Sequence, residues 1–201
     1  MKRTWAGWKL SSLTPEDQFT FHLFSSFRAI RHKIFGIAGW KNSGKTGLAV
    51  RLVTELSARG YKVSTIKHAH HDFDIDKVGA DSWRHREAGA HEVSIVSGTR
   101  YAIMHELRGA PEPTLEEVLA RLAPCDIVLI EGYKREPVPK IEARRLQATN
   151  RTPLAPTDPF IRAIAADHAV SGESLPVFDL DDTLALADFI LATLDLPRRR
   201  A

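Results

Sequence analysis

The stretch Gly39-Trp40-Lys41-Asn42-Ser43-Gly44-Lys45-Thr46 decides how this chain is read. It has the spacing G-x-x-x-x-G-K-[ST] of a loop built to hold phosphate. The glycines permit φ > 0 and let successive backbone N–H groups line one concavity around anionic oxygens. A helix opening directly after the loop adds its free amides and its dipole to that attraction. Lys45 then reaches the β- and γ-phosphates, and the Thr46 hydroxyl is a hard oxygen ligand for Mg²⁺.

The flanks supply the context such a loop needs. Ahead of it, residues 34–39 form a short apolar run, expected as a buried strand. Behind it, residues 44–59 predict a helix, because Leu48, Leu52, Val53 and Leu56 recur at three- and four-residue steps and Gly60 is a suitable stop. Gly47, the next helical residue, gives up ~1 kcal/mol of helix propensity against alanine.

Strands are expected at 62–67, at 91–97 and 101–107 as a hairpin, at 126–130 and at 161–166, with an edge strand at 140–144. Helices are expected at 82–88, at 114–122 and from 182 or 183 to 194. Thr114 with Glu117 reads as a capping box. Strands alternating with helices argue for an α/β, three-layer domain of the P-loop NTPase kind, with a mostly parallel central sheet and helices on both faces.

The chain has 201 residues, 43% hydrophobic and 26% charged, an ordinary globular balance that excludes a disordered polymer. One cysteine, Cys125, excludes an internal disulfide framework and a multi-cysteine zinc site. No apolar run approaches the ~20 residues of a membrane span. The net charge of +3 belongs to the ends: residues 1–33 carry +4, and the remainder, including Arg198, Arg199 and Arg200, sums to −1. A near-neutral body argues against both a nucleic-acid and a membrane partner. The expected domains are an N-terminal extension over 1–33 (disordered, or the product of a misassigned start), a nucleotide-binding domain over 34–197 and a basic tail over 198–201. Residues 1–33 lack the continuous apolar core and small-residue cleavage site of a secretory signal, so a cytoplasmic setting is expected.

Two acids compete for the magnesium side of the site. In Asp126-Ile-Val-Leu-Ile-Glu131-Gly132 they are five residues apart, ~16 Å along a strand, so only one faces the phosphates. Parallel sheets bind ligands beyond the carboxyl ends of their strands, which favours Glu131 as the metal-side or water-positioning acid. Asp126 is then a strand-entry residue.

Residues 67–76, Lys-His-Ala-His-His-Asp-Phe-Asp-Ile-Asp, follow the second strand and project at the same end. They read as a switch-like segment: Lys67 and His68 at phosphate, Asp72 or Asp74 near Mg²⁺. An EF-hand is excluded, since Lys77 and Trp83 stand where glycine and glutamate are needed. His68, His70 and His71 also allow a transition-metal site, and a solvated polar loop is the plain alternative.

With these residues assembled, the chain resembles the molybdopterin-guanine dinucleotide biosynthesis adapter (MobB) family. The resemblance rests on 39–46, on 66–76, on Gly79 with Asp81-Ser82 and 84–90, on Leu-Ile-Glu-Gly-Tyr-Lys at 129–134 and on Ile-Ala-Ala-Asp at 164–167. It implies GTP and Mg²⁺ binding, feeble GTP hydrolysis and a homodimer. The implied partner is the guanylyltransferase that attaches GMP to molybdopterin, with molybdopterin-bearing proteins as further candidates. Carried onto this chain, Gly39, Lys41, Asn42, Ser43, Gly44, Lys45, Thr46 and Gly47 hold the phosphates, and Glu131 faces the metal. Asn-Lys-x-Asp, the common guanine signature, is absent. Asp167, after the last apolar strand, suits the two-donor edge of guanine, or it caps its own loop.

Two other functions use the same residues. A small-molecule kinase would need an acceptor-site base, for which Asp72 and Asp74 are the candidates. A metal-insertion GTPase or metallochaperone would use the His68–His71 cluster.

Overall fold

The computed structural model describes residues 32–69 and 73–199. In chain order its elements are β1 (Lys33–Ala38), α1 (Lys45–Ala58), β2 (Val63–Lys67), α2 (Asp81–Glu87), β3 (Glu92–Val96), β4 (Tyr101–His105), α3 (Leu115–Leu119), β5 (Ile127–Glu131), β6 (Lys140–Arg144), β7 (Ile161–Ala166), β8 (Val177–Asp179) and α4 (Thr183–Thr193). The extension over 1–33 lies outside the described residues apart from His32 and Lys33.

Six strands form one sheet in the order β2-β5-β1-β6-β7-β8, and every neighbouring pair is parallel. Period-two alternation sorts the side chains of β5. Ile127 and Leu129 face α1 and α4, while Val128 and Ile130 face α3. The first face carries the larger core. Leu48, Leu52 and Leu56 of α1 and Leu186, Ala187, Ile190 and Leu191 of α4 close over Phe35, Ile37, Ile141, Ala143, Ala163 and Ala165. Each large side chain there is worth ~1.5–3 kcal/mol of burial. Arg59 ties the two helices, 2.7 Å from Glu55 and 2.5 Å from Asp188. Helices therefore flank both faces, but unequally, since α3 has five residues. Thr114 and Glu117 form the expected capping box there.

The expectation that residues 140–144 form an edge strand is corrected. β6 lies inside the sheet, between β1 and β7. Lys140 and Glu142, although charged, are each 1% exposed. Both are fully partnered. Lys140 Nζ donates to Asp158 at 2.7 Å and to the Lys134 carbonyl at 3.0 Å. Glu142 accepts from the amides of Leu154 and Ala155 at 2.8 and 3.0 Å and from Arg144 at 2.8 Å. The long connection after β6 is thereby fastened to the sheet. β8, three residues after Pro176, completes the far edge and was too short to announce itself.

The β3–β4 hairpin forms a separate two-stranded sheet. One face buries Val93 and Met104; the other exposes Val96 (76%), Tyr101 (71%) and Ile103 (56%). The first two arginines of the basic tail fold back: Arg198 pairs with Asp188 at 3.1 Å and Arg199 with Asp126 at 3.0 Å.

Removing one partner of a buried pair strands the other charge, at a cost of ~3 kcal/mol. Asp158→Asn should therefore lower the urea-unfolding free energy by that amount, and adding Lys140→Met should restore most of it. A loss in the double variant equal to that of Asp158→Asn would contradict the assignment.

Candidate functional site

The chain leaves β1 into a tight loop because three residues adopt positive φ. Gly39 has φ 149°, Asn42 65° and Gly44 89°. A side chain at Gly39 would meet the Ala143 carbonyl at 2.6 Å, so only glycine lets the loop lie down on β6. Gly44 is the left-handed N-cap of α1, and its carbonyl accepts from Leu48 at 2.9 Å. Gly47 is different. A Cβ there would meet only Arg51, at an ordinary 3.5 Å, and nothing in the structure explains the glycine.

Trp40 and Lys41 form the outer side of the loop. The Trp40 indole N–H donates to the Thr152 carbonyl at 2.7 Å, and the Lys41 carbonyl accepts from Thr149 at 3.2 Å. Lys134 Nζ sits 4.0 Å over the Trp40 ring. These contacts, with the Lys134–Trp40 stack, position the loop and were missed by sequence reading. Lys134 was visible within the Glu-Gly-Tyr-Lys string, but its partner was not.

Glu131 ends β5 in register with Ile37 of β1 and Lys67 of β2. It shares the α1-facing side of the strand with Ile127 and Leu129, so its carboxylate meets the first turn of the helix. Thr46 Oγ1 donates to Glu131 Oε1 at 2.9 Å, and Lys67 Nζ lies 3.7 Å from the same oxygen. Lys45 Nζ donates to the Trp40 carbonyl at 2.6 Å. Burial pushes the Lys45 ammonium below the usual lysine range. Lys134 and Lys67 push the same way, and Glu131 opposes them. Lys45, Lys67 and Lys134 thus act on one another at the end of the loop, with Glu131 the opposing charge, a field that favours a polyanion.

Gly132 follows Glu131 for a steric reason. With φ 95°, a Cβ there would strike the His68 carbonyl at 2.8 Å. The His68 amide in turn donates to the Glu131 carbonyl at 2.9 Å, which fastens the start of the histidine loop to the end of β5. The His68 ring lies against Tyr133, centroids 5.1 Å apart, with Nε2 2.8 Å from Glu112. His70, His71 and Asp72 lie outside the described residues. Asp74 and Asp76 pair with Arg86 at 3.2 and 2.7 Å, and Arg86 also pairs with Glu106 at 3.1 Å. The guanidinium of Arg86 holds the Asp76 carboxyl below the usual carboxylate range. Among the described residues, no three histidine, cysteine or acidic side chains gather as a metal cluster.

Asp167, just beyond β7, accepts from the Leu146 amide at 3.0 Å and lies 2.8 Å from His168 Nδ1, so it caps the turn after β6. The hydrogen bond from His168, then that from Leu146, holds its carboxyl low. Its other oxygen is 3.7 Å from Arg145 Nε.

Asp126, the competing acid, sits at the opposite end of β5. Its carboxylate accepts from the Lys62 amide at 2.7 Å and pairs with Arg199. The Lys62 amide, and then Arg199, hold its pKa below the ordinary value. A depressed carboxylate contributes stability above its unfolded pKa of ~3.9, lost as pH falls through the lower folded value. Asp126→Asn should accordingly weaken the fold at neutral pH in urea titrations. The two proteins should converge in acid below the usual carboxylate range. A gap that persists there would contradict the assignment.

Comparison with known proteins agrees with this geometry. Residues 34–167 match the profile of the MobB family, described as molybdopterin guanine dinucleotide synthesis protein B. A molybdopterin-guanine dinucleotide biosynthesis adapter protein of Haemophilus influenzae is 39% identical over 160 residues, covering 78% of this chain and 86% of its own length. The Escherichia coli protein of the same name is 35% identical, covering 79% and 91%. Among solved structures, a MobB homologue from Bacillus stearothermophilus superposes with a TM-score of 0.61 at 26% identity, over 81% of this chain and 98% of that one. The phosphate loop, the acid that meets its helix and the match over two thirds of the sequence lead to one conclusion: the chain belongs to the MobB family.

Proposed function

We propose that this protein, an adapter of molybdopterin guanine dinucleotide biosynthesis, binds GTP with Mg²⁺ at residues 39–47 and delivers it to the guanylyltransferase that joins GMP to molybdopterin. The observation that carries this reading is the Thr46–Glu131 contact of 2.9 Å at the mouth of a glycine turn opening on α1. Two hard oxygens side by side, next to three ammonium groups, are a donor set that fits Mg²⁺, which prefers oxygen ligands shared with phosphates. Bound there, Mg²⁺ supplies charge neutralisation at the β- and γ-phosphates. The loop amides and the start of α1 bind the phosphate oxygens, Lys45 takes the β/γ bridge, and Lys67 and Lys134 add long-range attraction. Asp167 takes the N1–H and N2–H₂ edge of the base, a role for which its position beyond β7 and its depressed carboxyl are suited.

Hydrolysis by this chain alone is slow. Arg86, a candidate to stabilise transferring phosphate, is committed to three carboxylates, and Asp74, a candidate acceptor base for a kinase, is one of them. The apolar hairpin face of Val96, Tyr101 and Ile103 supports a homodimer. No helix among the described residues is long and apolar enough to cross a membrane. Use of the GTP pool supports a cytoplasmic setting.

Calorimetric titration with Mg²⁺ should show GTP binding at least tenfold tighter than ATP. Lys45→Ala removes a charge-assisted contact and should weaken GTP by about 100-fold. Glu131→Gln should abolish the dependence on Mg²⁺, and Asp167→Asn should shift preference from GTP toward XTP. Equal affinity for ATP and GTP, unaltered in Asp167→Asn, would overturn the base assignment. Turnover should stay well below the ~10 s⁻¹ of an ordinary enzyme.

Sedimentation gives the second test. The parent chain should run as a dimer and Tyr101→Glu as a monomer. A dimer insensitive to that charge would place the interface elsewhere.

A further inference from the structure

Trp40 meets the rest of the protein in three directions. Its indole N–H donates to the Thr152 carbonyl at 2.7 Å, and its own carbonyl accepts from Lys45 Nζ at 2.6 Å. Its ring lies 4.0 Å beneath Lys134 Nζ. One loop residue therefore touches two ammonium groups, one at its backbone and one at its ring. Lys45 is the lysine of the G-x-x-x-x-G-K-[ST] pattern, whose ammonium serves the β- and γ-phosphates. The Trp40 carbonyl, in contact with that ammonium, marks the end of the loop suited to the terminal phosphates. Lys134 reaches the loop at this same residue.

The backbone of Lys134 is fixed there. Its amide donates to the Gly132 carbonyl at 2.9 Å, and its carbonyl accepts from Lys140 Nζ at 3.0 Å. Lys140 is itself buried and paired with Asp158. Gly132 packs against the His68 carbonyl and turns the chain just after Glu131. The side chain of Lys134 is the adjustable part, a flexible four-carbon stem carrying a point charge.

That charge is incompletely served. Among the described residues no carboxylate pairs with Lys134, and its ammonium rests on the indole face. A ring face holds a cation less strongly than an anionic oxygen does, and it leaves the three N–H donors without acceptors. Burial lowers the Lys45 ammonium from its usual range; Glu131 opposes this, and Lys134 adds to it. The two like charges thus act on each other across one tryptophan, an arrangement that an anion at this end of the loop relieves.

We propose that Lys134 binds the terminal phosphate of a nucleoside triphosphate and makes the loop prefer a triphosphate to a diphosphate, with Trp40 as its positioning residue. This rests on the binding of nucleotide phosphates at residues 39–47, and it goes beyond the long-range attraction given to Lys134 above. A diphosphate offers Lys134 no terminal group to hold, so the contact separates GTP from GDP at a residue outside the loop itself.

The test is calorimetric titration of the full chain with GTP and with GDP, both with Mg²⁺ and at high salt, where long-range attraction is screened. Lys134→Met should weaken GTP about tenfold more than GDP, and Lys134→Arg should keep most of the preference. A chain carrying Trp5→Phe, Trp8→Phe and Trp83→Phe leaves Trp40 as its one indole and gives the second readout. GTP should shift the Trp40 emission and GDP should not, because the ring and the terminal phosphate draw on one ammonium. Adding Lys134→Met should remove that difference. Equal losses of GTP and GDP in Lys134→Met, no loss of either, or the same Trp40 response to both nucleotides overturns the proposal. A parent chain that binds neither nucleotide overturns the phosphate-loop reading and this one with it. Equal binding of ATP and GTP overturns the base assignment alone, and the ATP–ADP pair must then show the same dependence on Lys134.

Discussion

The register between β1 and β5 is the constraint on which the site depends. Ile37 pairs with Glu131, so β5 ends just as β1 enters its glycine turn. The acid then stands beside the first turn of α1, within 2.9 Å of Thr46. A slip of one residue would turn every β5 side chain to the opposite face, removing Glu131 from the helix and Ile127 and Leu129 from the main core together. The apolar alternation of β5 therefore sets the fold and the placement of the carboxylate with the same contacts.

The loop itself is held from outside. On one side Gly39 lies against the Ala143 carbonyl; on the other, Trp40 and Lys41 are strapped to residues 149–152. That connection is anchored in turn by two buried charged residues of β6. Lys140 reaches Asp158, and Glu142 caps the amides of Leu154 and Ala155. Buried polar contacts of this kind are rigid because leaving either charge without its partner is costly. They also explain how an irregular segment with several prolines comes to sit firmly beside the glycine loop.

Much of this was legible in the sequence, for local reasons. The loop glycines, the period of Leu48, Leu52 and Leu56, and the Thr114–Glu117 cap are all encoded within a few residues of where they act. Strand direction alone put Glu131, and not Asp126, at the end of β5 that lies beside the glycine loop, where it meets Thr46. Asp126 then proved to be a strand-entry residue that holds the Lys62 amide and Arg199. What failed to show was non-local. Residues 140–144 read as an edge strand, and the partners that bury Lys140 and Glu142 inside the sheet lie 12 to 18 residues away. β8 is three residues long, and the Lys134–Trp40 stack joins segments far apart in the chain. Asp167 was left with two roles, and the one the fold displays is its cap on the Leu146 amide.

The central claim is that Thr46 and Glu131 hold the metal side of a triphosphate whose tail lies in residues 39–47. The most direct measurement is a crystal structure with a non-hydrolysable GTP analogue and Mn²⁺ in place of Mg²⁺, the metal located by its anomalous signal. The account predicts one manganese peak at roughly 2.1 Å from Thr46 Oγ1, with phosphate oxygens on the loop amides and Lys45. A metal held by His68 and its neighbouring histidines instead, with no phosphate in the loop, would contradict it.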